Sequence, residues 1–181
     1  MAEVHRKDIL SKSLNLQPLS DEGGYFAETY RGNETIKTDR DGVHRSNITI
    51  IYYLMSYDMG GRNYLHGNKS DIVHFFHEGW PVKYTTISPQ GEIEEFIMGK
   101  DATKGQVPQL IVKGGYYKTA RVMHELKEYE TFPGEVPFTL ISEAVSPGFD
   151  YRDRHVPGKE EVKKLYPSLW KKLEEHIAPA E

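Results

Sequence analysis

Between Gly23 and about Pro147 the chain repeats one pattern, a short apolar stretch closed by Gly, Pro or Asn. That pattern predicts strand after strand: Tyr25–Arg31, Asn47–Ser56, Asp71–His77, Val82–Ser88, Ile93–Met98, Gln109–Val112 and Phe138–Val145. The run I-T-I-I-Y-Y-L-M (Ile48–Met55) is apolar on both alternating faces, so both need cover. A core on one side and a packed helix or second subunit on the other would supply it. Many short strands at turn-signalled intervals indicate a sandwich or barrel. Helical spacing frames the strands. Ile9, Leu10, Leu14 and Leu16 mark a short helix or turn over residues 6–16 that stops before Pro18. Gly158–Lys164 and Ser168–Ile177 read as helices. The stripe Leu169, Trp170, Leu173 and Ile177 would lie on the β body, and Pro179 ends the pattern. The charged Arg121–Glu135 stretch reads as a protruding hairpin or loop. With no repeat or linker, one domain is expected over residues 1–181, its β core at about 23–151 and its helical tail at about 158–178.

Composition narrows the chemistry. The 181 residues can bury an ordinary core, and 12 Tyr with 7 Phe suit a sheet-rich interior with an aromatic pocket. The absence of cysteine excludes disulfides, thiolate nucleophiles and Cys-ligated zinc. A net charge of −4 argues against a nucleic-acid partner. No apolar run approaches the roughly 20 residues of a membrane span, and the polar start M-A-E-V-H-R-K-D is unlike a signal peptide, so a cytoplasmic protein with no membrane partner is expected.

Candidate chemistry centres on R-N-Y-L-H-G-N-K-S-D-I-V-H-F-F-H-E-G (Arg62–Gly79), two strands joined by a polar turn. His66 falls near the end of one and His74 inside the next. Alternation puts Ile72, His74 and Phe76 on one face, Tyr116 with Lys118 on another, and Tyr52 with Ile50 and Leu54 on a third. Asp71, beside Ser70, either orients His66 or makes a turn. Gly23-Gly24, Gly60-Gly61 and Gly114-Gly115 read as turns rather than phosphate loops, since no helix start follows them. Ser46, Ser56 and Ser70 lack a G-x-S-x-G context. Arg31, Arg45 and Arg62 are anion clamps or solvated strand ends, and Phe149 is placed to cap a pocket mouth.

Five blocks in order carry a family resemblance: E-G-G-Y-F-A-E-T-Y-R, R-S-N-I-T-I-I-Y-Y-L-M, H-G-N-K-S-D-I-V-H-F-F, G-Q-V-P-Q-L-I-V and V-S-P-G-F-D-Y. The chain resembles the uncharacterised cupin family five over about Leu10 to Tyr151. The resemblance implies an all-β, RmlC-like cupin jelly-roll β-barrel, like that of dTDP-4-dehydrorhamnose 3,5-epimerase, with a short N-terminal helix and C-terminal helices, and a homodimer. It also turns the face of His74 toward a lumen. Metal-dependent cupins ligate through two histidines and a carboxylate of a first motif and a histidine of a second. Here His66 matches one ligand, while Tyr64, Ile72 and Lys118 stand at the other three positions. No metal and no other cofactor is therefore expected. The expected ligand-binding set is Tyr52, His66, His74, Phe76, Tyr116 and Lys118, gripping a nucleotide-, sugar- or purine-like small molecule. An alternative is a metal-independent sugar or sugar-nucleotide isomerase or epimerase, with His66 or His74 as base and a tyrosine as acid. A plain structural account of His74 also stands: a buried neutral imidazole bonded to Asp71 or a backbone carbonyl.

Overall fold

A computed structural model describes residues 4–40 and 43–179. In chain order the helix α1 (Arg6–Ser13) precedes β1 (Gln17–Pro18), β2 (Tyr25–Arg31), β3 (Thr35–Lys37), β4 (His44–Ser46) and β5 (Thr49–Ser56). Then come β6 (Arg62–Asn68), β7 (Asp71–Gly79), β8 (Val82–Ile87), β9 (Ile93–Met98), β10 (Gln109–Val112), β11 (Tyr117–Val122), β12 (Phe138–Ser146) and β13 (Arg154–His155). Helices α2 (Lys159–Leu165) and α3 (Trp170–Leu173) follow. The expected Ser168–Ile177 helix is broken into α3 and flanking 3-10 turns. Residues 123–137 form a loop with one 3-10 turn, Lys127–Tyr129, and no hairpin.

The protein is mostly β. One sheet has the order β1-β2-β5-β12-β7-β10, the second β13-β6-β11-β8-β9, and β3-β4 form a small ribbon. The strand pairs in all three are antiparallel. The two large sheets face each other across a shared core, to which Tyr53, Met55 and Ile141 come from one side and Tyr84, Ala120 and Val122 from the other. Among the described residues no ladder joins their edges, so the expected barrel is resolved as two facing sheets.

Both outer faces gain cover from the chain itself. Leu10 of α1 and Leu16 after it join the cluster that buries Leu54, at the end of β5 against which α1 packs. On the second sheet, Leu65 and Ile87 are covered by Val162, Leu173 and Ile177. Gly23 and Gly24 have φ of 82° and 76°, and a Cβ at Gly23 would lie 2.5 Å from the Arg62 carbonyl oxygen. Only glycine lets the chain cross there, and that crossing sets Glu22 beside β6. Among the described residues no helix is long and apolar enough to cross a membrane.

Candidate functional site

A cavity of about 270 Å³ opens between the sheets. Leu19, Phe26, Ile51, Ile72 and Val145 make its apolar walls, and exposed Tyr151 marks its mouth with Phe149 and Arg31. Its inner end is polar, built from Glu22, His66, Asn68 and Glu143.

Two bulges aim the histidines. Between β6 and β11 the register slips, so that Lys118 faces His66 but Ala120 faces Asn63, leaving Tyr64 and Leu65 opposite Thr119. Simple alternation from Asn63 would send Leu65 inward. The extra residue buries Leu65 on the helix-covered side instead and turns His66 into the cavity. On β7, Phe76 pairs with Ile141 and Glu78 with Leu140, which leaves His77 as the extra residue. His77 bonds Ser142 Oγ at 2.9 Å and meets Tyr52 edge-on at 5.7 Å between ring centroids.

His66 Nδ1 donates to the Tyr64 carbonyl at 2.7 Å, which leaves Nε2 with a lone pair, 3.4 Å from Glu22 Oε2. Burial pushes its pKa below the ordinary imidazole value, against the pull of Glu22 and with the help of Lys118. The Arg154 guanidinium donates to Glu22 Oε1 at 2.8 Å and also holds Asp21. His66 is thus a neutral acceptor.

Behind the cavity floor lies a buried triad. The Lys118 ammonium donates to Glu143 Oε1 at 2.8 Å and to His74 Nε2 at 2.6 Å. His74 Nδ1 donates to the Leu110 carbonyl at 3.2 Å. Burial, then the Lys118 charge, lowers the His74 pKa despite Glu143. Burial alone would raise the Glu143 carboxyl, but the Lys118 charge overcomes it and holds the group well below the usual carboxylate range.

Of the expected set, only His66 lines the cavity directly. His74 is fully buried and Lys118 nearly so; both act on the cavity through Glu143. Phe76 and Tyr116 pack against the core cluster and do not line the cavity. The inward placing of Tyr52 is corrected. Ile51 lines the cavity and the Tyr53 hydroxyl accepts from Asn63 of the opposite sheet, so Tyr52, between them, points out toward His77. Asp71 does not orient His66; it accepts from Gly114 N and Lys113 and so makes the turn. Sequence reasoning missed Glu143, Glu22 and Arg154.

The mouth segment is firmly tied. Gly148 N donates to the Ser46 carbonyl at 2.7 Å and Phe149 N to Thr49 Oγ1 at 2.8 Å. Buried Asp153 accepts two bonds from Arg45, at 2.9 and 3.0 Å, and one from Arg40 at 3.0 Å. Arg31, paired with Glu28, also donates to the Phe149 carbonyl at 3.2 Å.

These residues do not fit a metal. Among the described residues no three His, Cys, Asp or Glu side chains converge to hold one. The point where His74 Nε2 and Glu143 Oε1 meet is taken by the Lys118 ammonium.

A two-sheet antiparallel body enclosing a small cavity is the architecture of cupins, and the chain belongs to the family described as Cupin superfamily (DUF985), whose model matches residues 8–156. It is 32% identical over 154 residues to the uncharacterized protein YML079W of Saccharomyces cerevisiae, covering 80% of this chain and 72% of that one. Among solved structures, a hypothetical protein from Leishmania major superposes with a TM-score of 0.82 at 25% identity, over 95% of this chain and 98% of its own. A Shewanella oneidensis protein does so with 0.78 at 24%, over 98% and 100%.

Proposed function

We propose that the cavity binds a small donor-rich organic molecule, sugar- or purine-base-like, without a metal. The observation that carries this reading is the pairing of two acceptors, the Glu143 carboxylate and the lone pair on His66 Nε2, at the inner end of an otherwise apolar cavity. Apolar walls take the flat or hydrocarbon part of the ligand, and the acceptors take its N–H or O–H groups. At about 270 Å³ the space suits a small ligand. Four carboxylates (Glu22, Glu28, Glu143, Asp150) against two guanidiniums (Arg31, Arg154) line it, which disfavours a phosphate and so narrows the expectation from nucleotides to unphosphorylated molecules. Catalysis as an epimerase is the weaker reading, because it needs a tyrosine opposite the base. Tyr52 points away, the Tyr53 hydroxyl already donates to the Gly23 carbonyl, and Tyr151, the tyrosine that lines the cavity, stands at its exposed mouth rather than at the inner end with His66.

A thermal-shift screen of neutral sugars, nucleobases and nucleosides beside their phosphorylated forms tests this. A ligand at 100-fold above its Kd stabilises by about 2.7 kcal/mol, several degrees in a chain this size. His66→Ala should then weaken the best hit about five- to a hundredfold, the worth of one or two hydrogen bonds. Stronger shifts from the phosphorylated forms, or equal affinity in folded His66→Ala, would sink the reading.

For assembly we propose a homodimer. The helix α1 covers only the Leu54 end of the first sheet's outer face, while Phe75 and Ile111 remain 37% and 53% exposed near its β10 edge. A second copy burying this strip is the expected occupant. Sedimentation at micromolar concentration should show a dimer; a monomer throughout contradicts it.

A further inference from the structure

We propose that the Lys118 ammonium is a resident cation of the cavity floor: it bridges His74 and Glu143 as a bound metal ion would, and so fixes the carboxylate that Glu143 presents to the cavity. The assignment does not depend on which ligand the cavity takes.

The geometry is that of a cation and its ligands. Glu143 and His74 sit directly opposite one another on β12 and β7, and Lys118 reaches them from β11 of the facing sheet. Its Nζ lies 2.6 Å from His74 Nε2 and 2.8 Å from Glu143 Oε1, and the three residues are 2%, 0% and 7% exposed. The bond from His74 Nδ1 to the Leu110 carbonyl commits that nitrogen's proton, so the lone pair of Nε2 points at the ammonium. This is how a histidine is tethered when it ligates a metal, its far nitrogen fixed by a backbone carbonyl. The ammonium, however, is covalently attached and cannot be lost to a chelator.

Among the described residues, His74 Nε2 also lies 3.2 Å from Glu143 Oε1, but its lone pair is turned to the ammonium and it brings no charge. Tyr84 of β8 sits edge-on to His74 at 5.2 Å, Tyr53 and His66 approach from β5 and β6, and Glu22 adds a negative charge. Among the described residues the cationic side chain in contact with Glu143 is Lys118. A buried carboxyl without that charge takes up a proton and changes from acceptor to donor. Lys118 is therefore a positioning residue for the cavity's hydrogen-bond polarity.

The test is carried out on the full chain by NMR, with 15N-lysine and 13C-carboxyl glutamate, the Glu143 signal being assigned by its loss in Glu143→Gln. In the wild type, Lys118 should give a slowly exchanging NH₃⁺ resonance and Glu143 the shift of an ionised carboxylate at pH 7. In Lys118→Met, Glu143 should take up its proton at a proton concentration at least tenfold lower than in the wild type. Ni²⁺ is the second probe. Lys118→His places a third donor beside His74 and Glu143, and should bind Ni²⁺ at least tenfold more tightly than the wild type, an increase abolished by adding Glu143→Gln. A folded Lys118→Met whose Glu143 titrates as in the wild type overturns the proposal, as does Ni²⁺ affinity unchanged in folded Lys118→His. Should Lys118→Met not fold, the wild-type lysine spectrum decides: a neutral amine or a fast-exchanging ammonium at position 118 refutes the assignment.

Discussion

Glu143→Ala is expected to lower the stability of the fold by about 3–5 kcal/mol, the cost of leaving one half of a buried ion pair behind. The stranded charge would be Lys118, whose side chain is 2% exposed and whose remaining partner would be the neutral His74. Glu143 lines the cavity, so water can enter the space it vacates, and this favours the lower end of that range. The pair is not itself a large source of stability. Replacing both partners together, Glu143→Leu with Lys118→Met, should recover much of the loss, because two well-packed apolar side chains need no charge compensation. Urea unfolding of the two single variants and the double variant forms a thermodynamic cycle, from which the coupling is read directly. A single Glu143→Ala variant within about 1 kcal/mol of the wild type would mean that the charges are solvated, contrary to the burial described.

Acid should weaken the protein in two stages. Burial lowers the pKa values of His66 and His74, and of the partly buried His77 and His176, so the unfolded chain binds more protons than the folded one as pH falls through the ordinary histidine value near 6.5. Their contribution is complete above that value and declines below it. A histidine that stays neutral throughout costs at most about 2 kcal/mol at pH 5, so the buried pair, His66 and His74, sets the main scale of the first stage and His77 and His176 add to it. The second stage belongs to the ion-paired carboxylates, Asp58, Asp150 and Asp153 among them as well as Glu143, which shows the sign. Its folded pKa is depressed, so its contribution is present above the ordinary carboxylate range and is lost as pH drops through and below about 4.3. Urea midpoints at pH 7.5, 6.0 and 5.0 check the first stage, and His66→Asn should reduce its slope. A stability that stays flat or rises between pH 7.5 and 5.0 contradicts this.

Much of the fold was legible because period-two patterns bounded by turn residues are hard to mistake. The strands Tyr25–Arg31, Ile93–Met98 and Gln109–Val112 have the bounds that the pattern predicts. The phase of a strand is harder to read than its existence. In I-T-I-I-Y-Y-L-M both faces are apolar, so nothing local says which is inward, and a one-residue error turns Tyr52 in and Tyr53 out. Bulges hide for a similar reason, since an extra residue leaves no mark on composition, yet the one at Tyr64 and Leu65 decides that His66 faces the cavity. Glu143 did leave a signal. In F-T-L-I-S-E-A-V it shares a face with Ile141 and Val145, and a charged residue on an apolar strand face is where a polar pocket group is found. Glu22 and Arg154 left none, because their meeting depends on contacts 132 residues apart in sequence.

The knot of Arg40 and Arg45 on Asp153 has a kinetic consequence. It pins the segment that carries Phe149, Asp150 and Tyr151 across the rim of the cavity, so the rim is ordered before any molecule arrives. A visitor need not wait for a lid to open or recruit one to close, and the entropy of ordering that loop is lost on folding rather than on association. Capture should therefore be a single fast step, with differences among visitors expressed in how long each one stays.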